Sequence, residues 1–135
     1  MKTIVKVALF SLFVVFLSNC ELKDAPLYNA NRVPIPVKMQ EAPLSEIATI
    51  IKKAGIRRGW AMQDDGVGKI VGTLNKRNHK AVVDILYSKT NYSIVYDNSV
   101  NLRHSGDKIH RKYNSWVKNL ESDITKDLNI AALSK

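Results

Sequence analysis

The chain has 135 residues, one cysteine and a formal charge of +9 from 21 Lys and Arg against 12 Asp and Glu, which leaves room for one ordinary domain. At 45% apolar and 24% charged residues it is too mixed for a collagen-like, wholly disordered or multi-span membrane chain. The lone cysteine excludes an internal disulfide framework and a multi-cysteine zinc site.

In chain order, Lys2 and Lys6 precede the apolar run 7–17, which meets Ser18-Asn19-Cys20. That order predicts a secretory signal peptide over residues 1–19, since the run is short of the ~20 residues a permanent membrane helix needs. Leu17-Ser18-Asn19-Cys20 resembles the lipobox of bacterial lipoproteins. The resemblance implies that Cys20 is diacylated on sulfur, becomes the first residue after cleavage and is acylated on its amine. Asn19 departs from the pattern, in which Gly, Ala or Ser usually precedes the cysteine. Glu21 stands where Asp would signal inner-membrane retention, so the resemblance implies the outer membrane, with the protein facing the periplasm. The alternative is an ordinary secreted protein, or an uncleaved anchor, with a free thiol, and such a thiol would be open to oxidation. In an exported protein the basic charge points away from nucleic acid, toward anionic head groups, acidic wall polymers or acidic patches on envelope proteins.

Residues 20–43 read as the lipidated cysteine followed by a tether, because Pro26, Pro34, Pro36 and Pro43 fall there and no period is sustained. Such a segment would hold a domain nanometres from a membrane. Val33, Ile35 and Val37 alternate, which leaves a docked edge strand as the other reading. A single domain is expected over 44–130, with 131–135 as a tail. It opens on a helix capped by Ser45, with Ile47, Ile50, Ile51 and Ala54 at helical spacing and Gly55 as its stop.

Four strands are expected next: 59–63, 69–74, 79–87 and 92–96, with turns at Asp64-Asp65-Gly66, at 75–78 and at 89–91. Connections this short suit antiparallel neighbours and have no room for crossover helices. After an irregular stretch, 98–106, Ile109, Tyr113, Trp116, Leu120, Ile124 and Leu128 form one stripe of a helix of about twenty residues, with Val117 at its edge and Ser105 or Asp107 as its cap. The predicted fold is α+β and two-layered: a four-stranded antiparallel meander with the N-terminal and the long C-terminal helix on one face, in the order α-β-β-β-β-α. Trp60, Ile70, Leu74, Val83, Ile85, Tyr92 and Ile94 would face the helices. The other face would show Lys69, Val71, Thr73, Lys80, Val82, Asp84, Leu86, Ser93 and Val95.

The lipobox and the proline-rich segment occur together with Arg57-Arg58-Gly59-Trp60, the strand 81–87, Tyr92-Ser93-Ile94-Val95-Tyr96, Ser99-Val100-Asn101-Leu102 and the run 109–120. In this combination the chain resembles a group of small Gram-negative envelope lipoproteins for which no activity is established. The resemblance implies an envelope location and this α+β layout.

Catalytic chemistry is not written in the sequence. His79, His104 and His110 are spaced by 25 and 6, which matches no helical metal pair. Asp64-Asp65-Gly66-Val67-Gly68-Lys69 lacks both the phosphate-loop spacing and the later Glu of a calcium loop, and no nucleophile elbow is present. The expectation is therefore a protein without metal or cofactor, acting as a non-catalytic binding or assembly module. Its basic residues cluster as Lys52, Lys53, Arg57 and Arg58, then Lys76, Arg77 and Lys80, then Arg103, Lys108, Arg111 and Lys112. Candidate partner-binding residues are Arg57, Arg58, Trp60, Arg77, Asn101, Arg103 and Arg111 for an anionic envelope component. For an envelope protein the candidates are Val71, Val82, Leu86 and Val95 on the open sheet face. The alternative is a small periplasmic enzyme or inhibitor that uses the 96–104 loop, with Asn101 and His104 as its working residues.

Overall fold

The computed structural model describes residues 23–135, so the predicted signal peptide and Cys20 lie outside the described residues. Seven strands and three helices follow in chain order: β1 (Asp24–Pro26), β2 (Ala30–Pro34), α1 (Val37–Gln40), α2 (Leu44–Arg57), β3 (Ala61–Asp64), β4 (Lys69–Lys76), β5 (His79–Tyr87), β6 (Asn91–Val100), β7 (Lys108–His110) and α3 (Arg111–Ala132). β3, β4, β5 and β6 form the expected antiparallel meander. The sheet, however, has five strands, because β2 pairs antiparallel with the outer edge of β6, and β1 pairs with β7 as a separate two-stranded ribbon.

The segment expected as a tether is part of the folded unit from Asp24 onward. Ala30, Ile35, Met39 and Ala42 are buried in the same core as the sheet and the two long helices. An edge strand does dock here, but over Ala30–Pro34 and not through the alternation of Val33, Ile35 and Val37: Ile35 lies beyond the strand, and Val37 opens α1 and is exposed. Each proline has a local reason for its place. Pro26 and Pro34 end short strands, Pro34 on a sheet edge where a missing N–H costs little, and Pro36 and Pro43 stand just before α1 and α2 with φ of −52° and −55°. Side chains of α3 fasten this segment: the Tyr28 N–H donates to Asn114 Oδ1 at 3.0 Å, Asn114 Nδ2 donates to the Pro26 carbonyl at 2.8 Å, and the Tyr28 hydroxyl donates to Glu121 at 2.6 Å. That last bond, to a carboxylate, pushes the Tyr28 phenol up to about 12.

The alternation in β4 and β5 sends Ile70, Leu74, Ala81, Val83 and Ile85 toward the helices, with Tyr92 and Ile94 of β6 beside them. From α3 come Tyr113, Val117, Leu120, Ile124 and Leu128. The stripe is thus rotated from the expected one: Val117 is fully buried, while Trp116 is only half-buried at its edge. α2 does not stop at Gly55. A Cβ on Gly55 would lie 2.5 Å from Met62 Cε, so this glycine admits a close packing of β3 on the helix, and the turn falls at Gly59, whose φ is +90°. Neither long helix uses its expected cap. Pro43 precedes α2 in place of Ser45, and α3 begins after His110 because residues 108–110 pair with β1 as a strand. β6 runs on through Val100, into the stretch expected to be irregular, by absorbing Asp97 as a bulge between Tyr96, opposite Val83, and Asn98, opposite Val82.

Candidate functional site

The β4–β5 hairpin carries the second basic cluster to the first two turns of α3, where the third ends. The Lys76 ammonium lies 6.0 Å from the centroid of Trp116. The His79 ring is 6.3 Å from Trp116 and 6.2 Å from His110, centroid to centroid. Lys76, Arg77, His79, Lys112 and Trp116 line an open cleft of about 490 Å³. A smaller crevice lined by Arg58, Trp60, Leu74, Lys76, Trp116 and Asn119 shares two of these side chains. Among the described residues no carboxylate pairs with Lys76, Arg77 or Lys112. Two of the three basic clusters therefore meet on one surface, and the cleft lies between them.

The backbone here is held in costly conformations. The hairpin turns in two residues, Arg77 and Asn78, with Arg77 at φ +56°, and Asn101 and Arg103 stand at φ +59° and +55°. Left-handed backbone costs a residue with a Cβ about 1–2 kcal/mol, and arginine has no side-chain device to offset it. Asn101 braces the hairpin: its carbonyl accepts from His79 Nδ1 at 2.7 Å, and its Nδ2 reaches the Asn78 carbonyl at 3.5 Å. Because a carbonyl can only accept, the bond places a proton on His79 Nδ1 and leaves Nε2 as the ring's other polar atom.

His110 is the cap of α3. Its Nδ1 accepts from the Lys112 N–H at 3.1 Å, which requires an unprotonated nitrogen there. Burial lowers its pKa, as do the nearby charges of Lys112, His79 and Arg103, while Asp24 opposes them. No acid stands in the first turn of α3, where Arg111 and Lys112 add positive charge to the positive end of the helix dipole. A histidine with a depressed folded pKa stabilises the protein above its unfolded value of 6.5, and that contribution is lost as pH falls through the folded value, because the unfolded chain takes up the proton first. His110→Asn keeps a capping acceptor that does not titrate. Urea unfolding between pH 7 and pH 5 should therefore show the wild type losing about 1 kcal/mol more than the variant, the worth of a helix cap. Parallel pH profiles would show that the cap does not titrate.

The remaining predicted site residues divide sharply. Arg57 pairs with Asp127, and Arg58 holds the buried Asp123 through Nε at 2.6 Å and a second contact at 3.3 Å, so both guanidiniums join α2 to α3. Hydrogen bonding from Arg58 keeps the Asp123 carboxyl below the usual carboxylate range. Trp60 is 3% exposed and belongs to the core. Arg103 pairs with Asp24 at 3.2 Å, and the Arg111 N–H donates to the Lys23 carbonyl at 2.8 Å, which fastens the incoming chain beside the cleft. His104 stacks on Tyr96 with centroids 4.3 Å apart, so His104 and Asn101 both make contacts that shape the loop.

Val71, Val82, Leu86 and Val95 do share the open sheet face, three of them half-buried and Leu86 45% exposed. Asp84 interrupts them, since it sits opposite both Val71 and Val95. Burial and the neighbouring Asp97 raise the Asp84 carboxyl, against the Lys69 ammonium at 3.9 Å. This face is a mixed surface and not an apolar patch.

Sequence reasoning placed Trp116 in the core and left Lys76, His79 and Lys112 off the candidate set. Lys112 and Trp116 are four apart, hence neighbours on one helix face, and that spacing was the readable signal. The proximity of His79 to His110 had none, because it depends on how the hairpin tip meets α3. Among the described residues no group of three or more His, Cys, Asp or Glu could hold a metal ion, and no helix is long and apolar enough to cross a membrane. In comparisons with protein-family models, curated proteins and solved structures, none matches this chain.

Proposed function

We propose that the protein is a membrane-anchored envelope lipoprotein, held by acyl chains on Cys20, and that it acts as a non-catalytic module whose basic end contacts an anionic envelope component. The observation that carries this reading is where the chain comes in: Lys23 is bonded to Arg111 at the start of α3, beside the basic cleft. Cys20 is three residues earlier, and three residues span at most about 10 Å. An anchor there would set the cleft at head-group level, where Lys, Arg and Trp are all favoured. The acyl chains would supply the stable attachment and the polybasic surface would orient the domain on it. α3, at about 33 Å for its 22 residues, would carry the other end of the domain away from the bilayer.

Flotation of the Cys20→Ser chain, which carries no acyl group, tests the electrostatic part. Binding to anionic vesicles should exceed binding to zwitterionic ones at about 0.1 M salt, and the excess should vanish near 1 M, where the screening length falls to about 3 Å. Equal binding to both vesicle types at low salt would remove the basic end from the reading.

A further inference from the structure

Attraction to a charged surface needs only exposed cations, but this site has more. The cleft of about 490 Å³ falls in the size range of small-molecule sites. It has an indole in its wall, and the hairpin forming its other side is braced by Asn101 through two contacts. Arg77 lies at the tip in left-handed backbone, a conformation glycine or asparagine would hold at lower cost.

The charged side chains of the lining are all donors, two ammonium groups and one guanidinium, and the imidazole beside them has only Nε2 left, since its Nδ1 is already used. Such a lining suits a ligand whose polar atoms are phosphate oxygens and hydroxyls, since hydroxyl oxygens accept. It suits less well a nucleobase, whose edge presents donors that need acceptors in the wall. The cleft is roomier than a bare phosphate requires, and the negative face of an indole packs well against the polarised C–H edges of a pyranose ring.

Resting on the reading of this cleft as the anion-binding surface, we infer that it takes a sugar phosphate, with the phosphate among Lys76, Arg77 and Lys112 and the sugar ring against Trp116. The sugar phosphate could be soluble or the exposed head of a glycolipid, and the two share this chemistry.

The test uses the full-length chain in neutral detergent, titrated separately with glucose 1-phosphate, inorganic phosphate, glucose and AMP, with the indole N–H resonance of Trp116 as the readout. Trp60, the only other tryptophan, is buried and serves as the internal reference. Glucose 1-phosphate should give a saturable one-to-one shift, with inorganic phosphate, glucose and AMP each at least about tenfold weaker. Lys112→Gln should weaken glucose 1-phosphate and inorganic phosphate alike. Trp116→Leu, read by calorimetry, should abolish the preference for the sugar phosphate over inorganic phosphate.

Inorganic phosphate binding as tightly as glucose 1-phosphate, or AMP binding more tightly, would overturn the inference. If glucose 1-phosphate gives no saturable shift while the unacylated Cys20→Ser chain still binds phosphatidylglycerol vesicles better than zwitterionic ones, the sugar-phosphate site is refuted and the membrane reading stands. Failure of both would remove the two together. For a glycolipid source, vesicles carrying a phosphorylated glycolipid should bind the Cys20→Ser chain more tightly than phosphatidylglycerol vesicles of equal charge, and free glucose 1-phosphate should compete. Equal binding of the two vesicle types would leave the soluble sugar phosphate as the ligand.

Discussion

In the unacylated Cys20→Ser chain, changing Lys76, Arg77 and Lys112 together to Glu should release the protein from anionic vesicles with little cost to the fold. Each Lys or Arg near an anionic surface contributes about 1 kcal/mol, so the lost attraction alone is about 3 kcal/mol, or roughly a hundredfold in affinity, and the three introduced acids add repulsion. The fold should tolerate the change because no carboxylate among the described residues depends on these three side chains. Arg57→Glu with Arg58→Glu is the contrasting pair. It would set new carboxylates against Asp127 and the buried Asp123, and should lower stability while leaving vesicle binding at low salt close to that of the wild type. Arg77→Gly separates strain from charge at a single position: it relieves the left-handed backbone, so unfolding should need more urea even as binding weakens. Vesicle affinity that survives the triple change would mean that the cleft is not the contact surface.

Ile35→Ala and Met39→Ala should each destabilise the protein by about 2–5 kcal/mol, the usual cost of emptying a buried aliphatic position. The side chains are 2% and 0% exposed and share the core with the sheet and both long helices. Two such losses approach the whole stability of an ordinary domain, about 5–15 kcal/mol, so the double variant should be largely unfolded. Val37 lies between them in sequence but is 78% exposed, and Val37→Ala should shift stability by no more than about 0.5 kcal/mol. Urea midpoints for these variants discriminate directly between a docked segment and a tether. If all the variants unfold like the wild type, residues 24–43 do not belong to the core.

What could be read from the sequence follows from the range of the forces involved. The strands from Lys69 to Tyr96 alternate with period two, and their short turns force antiparallel neighbours, so the meander and both faces of the sheet followed from local pattern. The long final helix was legible from its apolar period, though its phase was not. Trp116 and Val117 both fit the stripe, and only the angle at which α3 meets the sheet makes Val117 the core residue. The prolines misled because the same residue that stiffens a linker also starts helices and ends edge strands. What docks residues 24–43 is partners far away in sequence, such as Asn114 and Glu121 for Tyr28.

The candidate site was half legible for the same reason. Three runs of basic residues are visible in the sequence, but whether a run is a solvated face, an ion-pair partner or a cleft wall depends on which acids the fold brings up to it. Asp127 and Asp123 reach Arg57 and Arg58, Asp24 reaches Arg103, and no carboxylate among the described residues reaches Lys76, Arg77 or Lys112.

Anchoring through Cys20 is the central claim, and the intact mass of the protein recovered from membrane and soluble fractions of its native host tests it most directly, with Cys20→Ser beside the wild type. The expected result is a membrane-bound species cleaved before Cys20 and heavier by its acyl chains, with Cys20→Ser unacylated and lost from the membrane fraction. A soluble wild-type product with an unmodified thiol at Cys20 would contradict it.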